Sequence, residues 1–140
     1  MKQFFLILSL VRLHNLCLGA MAVIVATQLL GFSIDELVIK CMLIVISIMA
    51  LGYIMNDFID LKSDKINHPN RPLLTGEIPY INISLLVIIL LIILFFSIKE
   101  IHINAILLLL FIIPSLLLYN FFFKKMFLLG NIIVSILLGS

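Results

Sequence analysis

Between Pro79 and Lys99 the chain reads YINISLLVIILLIILFFSI, nineteen residues without one charged side chain. No other feature restricts the fold as much. In hydrocarbon every backbone polar group must be bonded within its own segment, and a helix of about 20 apolar residues achieves this while crossing a bilayer. Three further stretches have the same character, approximately 4–30, 36–56 and 103–123. A fifth, from Met126, is still apolar at Ser140 but too short to span. The expected fold is therefore all-α, a polytopic transmembrane helix bundle of four full spans plus a truncated fifth. The C-terminus reads as cut. Composition agrees: of 140 residues, 64% are hydrophobic and 11% charged, where soluble domains are about a quarter charged.

A net charge of +2, with no basic run, excludes nucleic acid as a partner. Cys17 and Cys41 stand alone in apolar runs, match neither a metal spacing nor a disulfide framework, and read as small hydrophobes. The N-terminal MKQFFLILSLVRLHNLCLGA begins like a signal peptide. Arg12, His14 and Asn15 interrupt its apolar region, and hydrophobicity continues past Leu30, so it reads as an uncleaved first span. Lys2, Lys62, Lys65, Arg71, Lys124 and Lys125 fall on one face of the alternating arrangement, with Lys40 and Lys99 near the other. The positive-inside rule then makes the N-terminus and the 56–79 loop cytoplasmic in an integral membrane protein.

That loop holds most of the charge. GYIMNDFIDLKSDKINHPNRPLLTGEI carries four of the seven acids, Asp57, Asp60, Asp64 and Glu77, together with Lys62, Lys65, His68 and Arg71. If the second helix continues through Asp64, then Asn56, Asp60 and Asp64 lie one turn apart, and Asp57 completes the arc. Like charges this close repel, so a positive partner is expected among them. Oxygen-only donors suit Mg²⁺ or another hard cation, held together with a substrate phosphate. A solvated loop whose acids pair with Lys62, Lys65 and Arg71 remains the alternative. An EF-hand does not fit, because Lys62 and Lys65 occupy positions that need an oxygen ligand and a glycine. Pro69 and Pro72 end the helix and stiffen the loop, Gly76 permits a tight turn, and Arg71 is placed to clamp a phosphate. His68 reads as a loop hydrogen-bonding residue.

NDFIDLKSD resembles the NDxxDxxxD motif of the UbiA superfamily of intramembrane prenyltransferases, and INHPNRPLLTGEI resembles its NRPLxSGxI continuation, with Thr75 where serine is common. VRLHN is similar to the family's first-helix Arg…Asn pair, and YNFFFKKMFLLGN to its Tyr…Lys…Gly-Asn segment. The resemblance implies about nine helices around a cavity, and Mg²⁺-dependent transfer of an isoprenoid chain from a polyprenyl diphosphate to a lipid or aromatic acceptor. It implies that Asn56, Asp60 and Asp64 ligate metal and diphosphate, with Asp57 beside them as a further catalytic carboxylate. It also implies that Arg12, Asn15, Arg71 and Lys124 contact the diphosphate. The family's second aspartate-rich motif is absent from these residues, which marks the chain as the N-terminal part of such a domain, with a C-terminal half missing.

Three other readings compete. A transporter would carry its ion site near the bilayer midplane on broken helices, whereas these acids sit at the end of a span. A CDP-alcohol phosphotransferase needs Asp-Gly and Ala-Arg between its acids, and DFIDLKSD has neither. A non-catalytic membrane subunit stays open. Within the family resemblance, the short gap from Asp64 to NRPL looks more like the archaeal geranylgeranylglyceryl phosphate and chlorophyll synthase relatives than the 4-hydroxybenzoate ones, with an aromatic quinone precursor as runner-up. For Arg12, snorkelling to the surface and facing a polar cavity stand level. Tyr53, Phe58 and Tyr119 are candidates to face a carbocation, or simply to pack. Gly19, Ala22 and Ala26 have the small-residue spacing of close helix packing, and Pro114 should kink the fourth span.

Overall fold

A computed structural model describes residues 2–67, 71, 73–99 and 101–121. Among the described residues the only regular elements are helices: α1 (Lys2–Leu10), α2 (Leu13–Leu29), α3 (Glu36–Ile59), α4 (Leu61–Asn67), α5 (Tyr80–Ile98) and α6 (Ile103–Phe121). The chain divides into two compact units, Met1–Glu100 and Ile101–Ser140.

Two of the described helices, α3 and α5, are long and apolar enough to cross a membrane, or three spans result if α1 and α2 count as one bent span. In α5, Ile81, Leu85, Ile88, Ile92 and Phe96 are all at least half exposed. Left in water, that surface would cost roughly 25 cal/mol per Å²; against lipid tails it costs nothing.

The first span is not the single helix expected over 4–30. It breaks after Leu10, and the two pieces meet at 54°. Arg12 sits in the break with φ 54°, ψ 59°, in the left-handed region, and it is the one non-glycine residue with positive φ among those described. Few hydrogen bonds are lost there. The Val11 amide still reaches the Ile7 carbonyl (3.1 Å) and the Arg12 amide the Ser9 carbonyl (3.1 Å), while the Arg12 carbonyl accepts from Asn15 (2.8 Å) and Leu16 (3.3 Å).

The start of α3 is fixed by Asp35, whose carboxylate accepts from the Val38 amide at 3.0 Å, an N-cap that satisfies an otherwise orphaned donor. Helix α3 packs against both α2 and α5. Their shared core holds Leu10, Leu16, Ala50, Ile54, Ile83 and Leu90. Leu73 and Ile78, from the segment between α4 and α5, are buried in that same core. Their burial pins residues 73–78 of this segment to the helices. Gly76 turns it, at φ 69°.

The small-residue stripe is only partly used. Ala22 and Ala26 are exposed, and the buried side of α2 runs instead through Leu16 and Thr27. Thr27 hides its hydroxyl by donating to the Val23 carbonyl at 2.8 Å. Gly19 does meet α3: a Cβ there would lie 2.5 Å from Met49 Sδ and 3.3 Å from Val45 Cγ1.

In the second unit, α6 follows His102, whose Nδ1 accepts from the Asn104 amide at 3.3 Å, and contains Pro114. One residue beyond the proline, the Ser115 hydroxyl donates to the Phe111 carbonyl at 2.8 Å. A side chain thereby supplies polar contact where proline disturbs the backbone ladder.

Because Met49 is flexible, Gly19→Ala should be tolerated, with Met49 swinging aside. Gly19→Val drives a branched side chain into Val45 as well and should destabilise by about 1–3 kcal/mol. Thermal unfolding in detergent measures both; equal midpoints for the two variants would refute close α2–α3 packing at this point.

Candidate functional site

The acids and bases of the charged segment do not spread into solvent. Asp57, in the last turn of α3, and Asp64, in α4, are each only 4% exposed. Two arginines from distant parts of the chain reach Asp57 Oδ1: Arg12 from the helix break at 3.3 Å and Arg71 from the loop at 3.2 Å. The same Arg71 nitrogen also donates to Asp64 Oδ2. One buried carboxylate thus joins the first span, α3 and the loop, and the second carboxylate holds the loop to α4.

Local structure explains how each arginine arrives. A right-handed helix through residue 12 would carry that side chain onward with α2; the left-handed turn breaks the rod at the level of Asp57. The guanidinium carbon of Arg12 lies 4.8 Å from the centroid of the Tyr53 ring, a favourable cation–π distance. Tyr53 is one turn before Asp57 on α3, so a single helix supplies both the anion and the aromatic face. Neither reading of Arg12 as an ordinary helical residue anticipated the break. Arg71 opens a turn in which its carbonyl accepts from the amides of Leu74 (2.9 Å) and Thr75 (3.2 Å), and burial of Leu73 holds that turn down.

Helix α3 does not run unbroken through Asp64. Asp60 is its C-cap, with φ −84° and ψ 0°. The register nevertheless survives the joint: the Asp60 amide bonds the Asn56 carbonyl at 2.9 Å, and the Asp64 amide bonds the Asp60 carbonyl at 2.8 Å. Asn56, Asp60 and Asp64 therefore remain one turn apart along a common side, as the spacing suggested. Among the described residues, no group of three or more His, Cys, Asp or Glu side chains converges closely enough to hold a metal ion. The donors are oxygen throughout, which is hard-cation chemistry, but two of the carboxylates are engaged by guanidinium groups.

The pairing also separates the bases. Of the three bases in the solvated-loop alternative, Arg71 does pair with the acids, whereas Lys62 and Lys65 are exposed and, among the described residues, take no part in the cluster. Asn15 lies in the first turn of α2, and among the described residues no side-chain hydrogen bond joins it to the cluster. Lys2 reaches across to Glu77 at 3.0 Å on the surface. Lys124, His68, Pro69, Pro72 and the side chain of Tyr119 lie outside the described residues. Sequence reasoning overlooked Leu73 and Ile78; the signal was two apolar positions inside a loop otherwise rich in polar and turn-forming residues.

Comparison with known families decides the relationship. Residues 16–140 match the UbiA prenyltransferase family. The chain belongs to that family. Among curated UbiA-like relatives, the digeranylgeranylglyceryl phosphate synthase of Sulfurisphaera tokodaii is 35% identical over 133 residues, which cover 91% of this chain and 47% of that protein. The protein of the same name from Methanococcus maripaludis strain C6 is 30% identical over 140 residues, 94% of this chain and 48% of that one. That from Methanobrevibacter smithii is 37% identical over 70 residues, 50% and 24% respectively. The chain spans about half the length of the first two. No solved structure matches.

The arginine and aspartate geometry yields two stability predictions. Asp57→Ala leaves two guanidiniums, each partly exposed, without their common acceptor, and should lower stability by about 2 kcal/mol. At position 12, Arg12→Gly should be more stable than Arg12→Ala by about 1 kcal/mol, because only glycine adopts left-handed backbone without penalty. Ordinary helix propensity predicts the reverse order, so the unfolding midpoints of this pair separate a real break from a bent but right-handed helix.

Proposed function

We propose that this chain forms the donor-binding part of an integral membrane prenyltransferase, one that moves an isoprenoid chain from a polyprenyl diphosphate to a glyceryl phosphate-type lipid. The observation that carries this reading is the convergence of Arg12 and Arg71 on buried Asp57, at the end of a membrane-length helix. The relatives' name, digeranylgeranylglyceryl phosphate synthase, supports the lipid acceptor; an aromatic quinone or chlorophyll precursor is the runner-up. Family membership leaves the transporter-like and non-catalytic alternatives without support. The wider topology we propose is four spans and part of a fifth, with the N-terminus and the 56–79 loop cytoplasmic, on the grounds of lysine and arginine placement.

In this mechanism the diphosphate lies against the guanidiniums of Arg12 and Arg71; Lys124 is a further candidate contact by family resemblance alone. Asp57 acts on the substrate through the arginines: it fixes both forks in position before the donor arrives, so little reorganisation accompanies binding. Arg71 also bonds Asp64, and this second bond sets the height of the loop over the mouth of the site. Asn56, Asp60 and Asp64 suit Mg²⁺ by donor chemistry and by their one-turn register. Mg²⁺ held by these residues would supply positive charge to offset that of the leaving diphosphate. Leucine and isoleucine side chains of the spans take the isoprenoid tail and keep water from the allylic carbon once its bond to the diphosphate oxygen has lengthened. Tyr53, already under a guanidinium, offers its ring face toward positive charge at the same level.

The test uses membranes carrying the full-length gene product and labelled geranylgeranyl diphosphate. Arg71→Gln and Asp64→Ala should each reduce Mg²⁺-dependent transfer by about 10²-fold or more, with membrane insertion unchanged. Offering a glyceryl phosphate lipid and an aromatic acid side by side distinguishes the acceptors. Transfer that persists without divalent metal, or in both variants, would sink the proposal.

A further inference from the structure

Helix α4 turns a second side away from the arginine cluster. There, an open groove of about 530 Å³ is bounded by Lys62 and Lys65 together with the ends of α3 and α5 and the turn after Arg71. Its apolar lining comes from Phe58, Leu61, Leu73, Leu74 and Tyr80. The Phe58 and Tyr80 rings stand 6.5 Å apart and inclined by 31°, so α3 and α5 together build an aromatic wall. Lys62 and Lys65 are three residues apart, hence on one side of the helix. Neither forms an ion pair or hydrogen bond among the described residues, although seven acids are present in the chain.

We infer that this groove holds one phosphate-bearing lipid drawn from the bilayer, its phosphate between the two ammonium groups and a hydrocarbon chain along Phe58, Leu73 and Leu74. Size, charge and depth each favour that occupant. The volume lies within the range of small-molecule sites, about 300–1,000 Å³, and far exceeds what a free phosphate fills. Two exposed lysines on one side attract a phosphate as point charges and disfavour a zwitterionic head whose outer group is cationic. The groove lies where the membrane-length helix α3 ends and α5 begins, the level at which basic pockets meet lipid headgroups. It also has a consequence for the cluster. A lipid seated there rests on the Leu73–Leu74 turn, two residues from Arg71, and steadies the loop that carries that guanidinium. This inference stands apart from the prenyl-transfer reading, because lipid retention is measured without turnover.

Native mass spectrometry of the full-length gene product in non-ionic detergent tests it, with dioleoyl phosphatidic acid as probe and dioleoyl phosphatidylcholine as comparison. A single phosphatidic acid adduct is expected, about tenfold or more favoured over phosphatidylcholine. It should weaken by about tenfold or more in Lys62→Gln/Lys65→Gln and disappear in Leu74→Trp, which fills the groove while sparing both lysines. The adduct should survive in Arg71→Gln, in a Lys2→Gln/Lys99→Gln control, and in millimolar inorganic phosphate. Loss in Arg71→Gln with retention in the groove variants would move the lipid to the arginine cluster and overturn the inference. Equal loss in the control pair would reduce it to diffuse charge, and displacement by inorganic phosphate would remove the lipid from it; either result also overturns it.

Discussion

A single carboxylate, that of Asp57, holds this architecture together at its charged end. Burying an anion at the end of a membrane helix is costly unless cations come with it. Two come, one from a break in the first span and one from a loop. Each arginine alone would be expensive at this depth, and each is offset by the same oxygen. Three separate segments are thereby tied at one atom, and the strained left-handed backbone at Arg12 is held by the bond it makes possible. The turn delivers the guanidinium to the carboxylate, and the bond formed there offsets part of the backbone strain.

Around that knot the packing is plain. Helix α3 is the shared partner, with α2 approaching closely at Gly19 and α5 contributing Ile83 and Leu90 to the core. Where the bilayer serves as solvent, no hydrophobic force drives helices together, so close fit and polar contacts decide the arrangement. The loop after α4 follows the same rule. Leu73 and Ile78 sink into the helical core and hold down the turn that Arg71 opens.

Much of this was legible in the chain itself. The nineteen apolar residues before Lys99 marked α5, and the Asn56, Asp60, Asp64 spacing marked a common side, because both rest on local backbone geometry that varies little with context. Gly76 marked its turn for the same reason. Legibility ended where an outcome depended on two distant segments. The break at Arg12 has no proline or glycine to announce it; it answers to Asp57 and Tyr53, far along the chain. Which basic residues would neutralise the acids was likewise undecided, since Lys62, Lys65 and Arg71 are all near in sequence. Direction around a short helix and the burial of Leu73 settled it, and both are tertiary facts. The small-residue stripe misled for a related reason: spacing identifies a face, but the partner helix selects which part of it is used.

The separation between Arg12 and its acceptor, 45 positions along the chain, has a bearing on biogenesis. During synthesis the guanidinium emerges well before the acid that neutralises it, and Arg71 follows that acid by another 14 positions. Until the later helix is threaded into the bilayer, the first segment carries an uncompensated charge and must stay near the headgroups. The kinked segment can settle to its final depth only as α3 is delivered beside it, and the last latch closes when the connecting arm has been made. Order of manufacture thus bears on order of assembly, because the guanidinium is made before its counter-charge.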